Sequence, residues 1–142
     1  MTADAAASRL FVYGTLMMPA VLAAVCGQSL TARPAALADY ARYQLRERVY
    51  PAIVASPGAT TCGLVCEGLD GPLWQRLDRW ESELYLRHTV TVREPTGTPL
   101  AAQTYVLAAP HHHLLSARPW SPREFERAHL AAYLARWTHA PP

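Results

Sequence analysis

Between Leu86 and Leu107 apolar and polar residues alternate, break at Thr96-Gly97-Thr98-Pro99, and alternate again. A period of two sends successive side chains to opposite faces of a strand, and glycine with proline between two such runs folds the second back on the first. The segment predicts a hairpin, and the pattern recurs. Tyr50 to Ala55 and Thr61 to Leu69, parted by Ser56-Pro57-Gly58, read as another hairpin. Arg9 to Tyr13 reads as a first strand, while Ser29 to Leu45 alternates loosely around Pro34 and predicts two short strands or a strand and a bend. Helical signals are fewer. Pro19 to Cys26 forms a short helix stopped by Gly27, Asp70 caps one that runs on to about Leu84, and Ser121-Pro122 opens a last helix through about Trp137. Strands outnumber helices and join through hairpins. The expected class is α+β, a small mixed and mostly antiparallel sheet curled into a barrel.

A chain of 142 residues suits one domain, 1–142, built around a single core. No apolar run approaches the roughly 18 residues of a membrane span. The first eight residues, MTADAAAS, have neither the basic start nor the apolar centre of a secretory signal, and we expect a flexible N-terminus there. All 13 cationic side chains are arginine, scattered and nearly balanced by 11 carboxylates, so no concentrated basic face points to a nucleic acid. Neither GxGxxG nor GxxxxGK[ST] occurs. Three cysteines, an odd number, suit a reducing, cytoplasmic setting. Cys62 and Cys66 share a strand face too far apart for a disulfide and read as small buried apolar residues.

The middle helix carries an anomaly. At about 100° per residue, Leu73, Trp74, Leu77, Trp80 and Leu84 form one apolar stripe, and Glu81 falls inside it, roughly 20° from Trp74. Burial raises a carboxyl pKa, and the negative end of the helix dipole adds to the shift. Two readings follow. Glu81 either pairs with an arginine from a neighbouring strand, Arg87 being the nearest such residue in sequence, or titrates near neutrality and serves as a general acid and base.

Phe11 to Met17 (FVYGTLM), Tyr50 to Val54 (YPAIV) and Leu77 to Val92 (LDRWESELYLRHTVTV) together resemble the gamma-glutamylcyclotransferase-like family. In that family a Tyr-Gly-x-Leu loop faces a glutamate in a Leu-Asp-x-aromatic-Glu-Gly stretch. The resemblance implies a small β-barrel flanked by short helices and a cofactor-independent enzyme. The α-amine of a γ-glutamyl group attacks its own γ-carbonyl, giving 5-oxoproline and a free amine. By position, Glu81 matches the acid-base glutamate, Tyr13, Gly14, Thr15 and Leu16 match the substrate loop, and Tyr85 matches a pocket-lining aromatic. Such a loop needs no charged side chain, because its backbone N–H groups can face an oxyanion or a carboxylate, and Gly14 lets the chain come close. Ser82 departs from the pattern, standing where the family has glycine. A non-catalytic module that binds a small ligand or a protein is the alternative function, and an amidase releasing glutamate is a third.

Other features invite plainer readings. Pro110-His111-His112-His113 reads as an exposed extended loop, with metal binding the minor option. Neither a metal nor a cofactor is expected. Met17 and Met18 suit gap-filling beneath the loop, and Trp120, Phe125, Tyr133 and Trp137 suit a helix packed on the barrel.

Overall fold

The computed structural model describes residues 6–139, with side chains through residue 136. Six strands form one sheet: β1 (Arg9–Val12), β2 (Ala32–Leu45), β3 (Pro51–Glu67), β4 (Tyr85–Arg93), β5 (Pro99–Leu107) and β6 (Leu115–Pro119). Their order runs β3, β1, β5, β4, β2, and a long β2–β3 ladder joins the two ends. Five strands thus close into a mixed barrel, with β6 added along β2. Among the described residues only β1 and β5 run parallel, meeting at Leu10 and Gln103, so the mostly antiparallel expectation holds. The helices are α1 (Pro19–Cys26), α2 (Gly71–Glu81), α3 (Pro122–Ala128) and α4 (Leu130–His139).

Burial on both faces explains the unbroken apolar run in β1. Phe11 and Tyr13 point into the barrel lumen with Leu37, Ile53, Val65 and Val92, whereas Leu10 and Val12 face outward under the helices with Val21, Leu22, Leu73 and Leu77. Gly63 makes the close approach of β3 to β1 possible. A Cβ there would collide with the Val12 carbonyl oxygen. The predicted cap of α2 forms as expected, the Leu73 N–H donating to Asp70 Oδ1 at 3.0 Å. Ser121 likewise accepts from the Glu124 N–H at 3.3 Å.

Several sequence expectations give way. Ser56-Pro57-Gly58 turns no hairpin, because β3 runs straight past it on β2, and residues 56–59 bulge opposite Asp39. Proline lacks an N–H, yet none is needed where the ladder is interrupted. The Gly58 N–H donates to Asp39 Oδ1 at 2.9 Å, with Asp39 at φ 67° and Gly58 at φ 89°. The real turn is 46–50, joining β2 to β3, and β2 is one long bulged strand in place of two short ones. The last helix divides at His129 into α3 and α4. Trp137 lies in α4, its side chain outside the described residues.

The N-terminus is tied down from residue 6. Ala6 is buried, the Ala7 carbonyl accepts from Trp74 Nε1 at 2.6 Å, and the Ser8 carbonyl accepts from the Leu69 N–H at 3.1 Å. Residues 1–5 of the expected flexible stretch lie outside the described ones. Cys66 is buried as expected, but Cys62 on the same strand face is exposed. The histidine run is a short 3-10 turn, Ala109–Leu114, in place of an extended loop. Among the described residues no helix is long and apolar enough to cross a membrane.

Candidate active site

β1 ends at the rim of the barrel, and the chain leaves it through Tyr13 and Gly14 into a 3-10 turn, Thr15–Met17. A cavity of about 690 Å³ opens there. Its wall takes in Tyr13, Gly14, Thr15, Leu16, Glu81 and Tyr85, the whole set singled out in the sequence, from three separate stretches of chain.

Tyr13, Thr15 and Tyr85 are each held by a side-chain contact. The Tyr13 ring fills the lumen and its hydroxyl donates to the Tyr105 carbonyl. Its own carbonyl accepts from Arg42 Nη1 at 2.8 Å. Gly14 has an ordinary φ of −123°, so its glycine answers to space instead of dihedral freedom: a Cβ would press on Pro51 Cδ and Cγ at 3.1 Å. Thr15 and Leu16 are buried, and Thr15 Oγ1 lies 3.5 Å from the Tyr133 hydroxyl. Among the described residues, no backbone acceptor takes the N–H of Gly14. The Tyr85 hydroxyl donates to the Pro51 carbonyl at 2.8 Å, which fastens β4 to β3 beneath the cavity.

Glu81 is the last residue of α2 and half-buried. The expected alternative of an ion pair with Arg87 does not occur, because Arg87 Nη2 goes to Asp78 Oδ2 at 3.2 Å and its guanidinium stacks over Trp74. Among the described residues no hydrogen bond or ion pair holds Glu81. Its carboxyl is instead pushed up to about 8, chiefly by desolvation and secondarily by the negative charge of Asp78. A carboxyl that changes charge near neutral pH, lining a cavity beside backbone donors, can accept and return a proton.

The cavity also draws on residues that periodicity did not single out. Tyr105 lines it, and the Tyr105 hydroxyl donates to Asp78 Oδ1 at 2.6 Å; burial and that bond raise its phenol pKa. Asp78 belongs to the same Leu-Asp-x-aromatic-Glu stretch as Glu81, which was the available signal. Arg48, in the β2–β3 turn, and Arg136, on α4, complete the open side, and neither carried any sequence pattern. Arg48, Ser82 and Leu84 also border a second cavity of about 740 Å³, reaching to His111 and His113. His112 Nε2 lies 3.2 Å from the Leu107 carbonyl, and among the described residues no three His, Cys, Asp or Glu side chains converge on a metal position.

Among the described residues a closed five-stranded mixed barrel, whose first strand leads into a Tyr-Gly-x-Leu loop lining one cavity with an acid at the end of α2, defines the class of fold. The family described as "Gamma-glutamyl cyclotransferase, AIG2-like" matches residues 10–122, and the chain belongs to it. Protein AIG2 C of Arabidopsis thaliana is 33% identical over 106 residues, covering 74% of this chain and 64% of that protein, so the match spans less than two thirds of that relative. An Arabidopsis thaliana protein solved in solution superposes with a TM-score of 0.71 at 27% identity, covering 94% of this chain and 85% of the other. A solved gamma-glutamyl cyclotransferase shares the fold, with a TM-score of 0.66 at 17% identity over 95% of this chain and 88% of its own.

Proposed function

We propose that the protein is a cyclotransferase that converts a small γ-glutamyl amine, peptide or conjugate to 5-oxoproline, with Glu81 moving the protons. The observation that carries this reading is the shared cavity, where an unpaired carboxyl with a pKa raised to about 8 meets the loop Tyr13 to Leu16.

As a carboxylate, Glu81 takes a proton from the substrate α-ammonium. The freed nitrogen attacks the γ-carbonyl carbon, a C–N bond forms, and negative charge gathers on oxygen. Loop N–H groups are preorganised donors for that charge or for the substrate α-carboxylate. Collapse breaks the original amide C–N bond, and Glu81 hands its proton to the departing nitrogen. Two protons move from nucleophile to leaving group in all, and the released amine departs as ammonium. Because both reacting groups belong to one molecule, holding it folded supplies much of the rate. The chemistry as written uses only this chain's own groups.

Ser82, Leu84 and Arg48 border both cavities, and we assign the leaving-group end of the substrate to that side. Three free cysteines suit a reducing cytoplasm as the place of reaction.

Incubation with a panel of γ-glutamyl compounds tests the reading by chromatography of the products. Wild type is expected to release 5-oxoproline, and Glu81→Gln to lose about 10²- to 10⁴-fold in rate while keeping its fold. Free glutamate as the product would replace the reading with amide hydrolysis, and equal rates from both proteins would remove Glu81 from the mechanism.

A further inference from the structure

Arg42, on β2, stands behind the Tyr13–Gly14 peptide without an acid beside it. Its Nη1 donates to the Tyr13 carbonyl at 2.8 Å and to the Cys62 carbonyl at 3.0 Å, and its guanidinium lies over the Trp120 ring, 5.5 Å from the centroid. Among the described residues no carboxylate pairs with it. The side chain is half-buried, and desolvation lowers its pKa, but arginine starts so high that it keeps its charge. Desolvating a lone cation is costly, so buried arginines ordinarily sit against acids. Here two neutral carbonyls and a ring face take the acid's place, and the positive charge is left uncancelled next to the candidate substrate loop.

The peptide between Tyr13 and Gly14 is trans, so its C=O and N–H point in opposite directions. Tyr13 and Gly14 line the cavity and Arg42 does not. Drawing the carbonyl toward Arg42 therefore turns the Gly14 N–H the other way, and that N–H has no backbone acceptor among the described residues. A cation on the carbonyl oxygen also pulls electron density through the amide, which strengthens the N–H as a donor.

We propose that Arg42 is a positioning residue for the oxyanion that forms on the γ-carbonyl, acting through the Tyr13–Gly14 peptide. It fixes the plane of that peptide and polarises its N–H toward the charge that develops in the cavity. The inference rests on the cyclotransferase reading, and its test separates the two.

Three variants are compared with wild type. Arg42→Met is expected to lower kcat about 10- to 100-fold, somewhat less than loss of a direct oxyanion donor, with KM nearly unchanged. Arg42→Lys should recover part of the loss, and millimolar guanidinium should restore rate to Arg42→Ala but not to wild type. Equal losses in the Met and Lys variants, with no guanidinium rescue, would reduce Arg42 to a packing role and overturn the proposal. A second readout needs no turnover: the Gly14 amide resonance should move when 5-oxoproline is added to wild type, and move far less in Arg42→Met. A Gly14 amide indifferent to 5-oxoproline in wild type also overturns the proposal. A wild type that forms no 5-oxoproline yet shows the Gly14 response, lost in Arg42→Met, defeats the cyclotransferase reading and with it the oxyanion role, while upholding that Arg42 orients the Gly14 N–H toward a bound ligand.

Discussion

Asp78 sits one helical turn before Glu81, accepts the Tyr105 hydroxyl and the Arg87 guanidinium, and repels negative charge at Glu81. Arg87 is thereby engaged away from Glu81, and Glu81 meets a like charge in its stead. If Glu81 acts as the base, kcat/KM of wild type rises with pH through about 8, since the carboxylate is the active form. Asp78→Asn keeps an acceptor for Tyr105 but removes the charge. Its pH–rate midpoint is expected below that of wild type, while a midpoint unmoved or raised would contradict the coupling. Periodicity marked Glu81 because an acid inside an apolar stripe is visible from angles alone. It could not say which of two acids would meet Arg87, because that depends on where β4 enters, three-dimensional information that the helix does not contain.

The end of α2 shows a local rule broken beside the proposed proton carrier. Ser82 has φ 63° and ψ −164°, a conformation that glycine adopts freely and other residues at a cost of about 1–3 kcal/mol. That is the position where the resembling family has glycine. Serine here takes a glycine-like turn, and its strain is borne next to Glu81. Ser82→Gly is therefore expected to raise unfolding stability by about 1 kcal/mol, read from the denaturant midpoint; a destabilised variant would show that the serine hydroxyl, 3.4 Å from the Leu84 N–H, matters more than the strain. Elements with local signatures were legible: the Asp70 cap, the Gly27 stop and the hairpin of β4 and β5 all form where sequence placed them. Elements decided by partners were not. Pro57-Gly58 has the chemistry of a turn, yet β2 offers a continuous ladder on both sides of it, so the chain bulges and carries on.

For the whole molecule, a carboxyl protonated in the fold and ionised in the unfolded chain links stability to pH. Glu81 titrates at about 8 when folded against 4.5 as its ordinary value, so between these two the unfolded chain binds fewer protons. Stability from this group is full below about 4.5 and falls as pH climbs toward 8. Glu67 opposes this only at lower pH: burial would raise its pKa, but Arg33 and Arg9 hold it below its ordinary value. Melting temperatures across pH 5 to 8 are expected to decline in wild type and to flatten in Glu81→Gln; matching slopes would mean Glu81 is not shielded from water. The barrel was legible as a class because hairpins and alternation are local, but the pairing that closes it was not, since the β2–β3 ladder joins residues that no short motif matches to one another.

One residue belongs both to the inside of that ring and to its rim. Tyr13 plugs the lumen with its ring while its backbone borders the cavity. Recognition at this edge is thus welded to packing: altering the loop disturbs the barrel's filling, and altering the filling tilts the loop. At the second cavity Arg48, His111 and His113 border the space, and none of the three belongs to the core clusters that fill the barrel. Novelty in what the pocket accepts has room to arise there, where side chains can be exchanged without reopening the question of how the molecule folds.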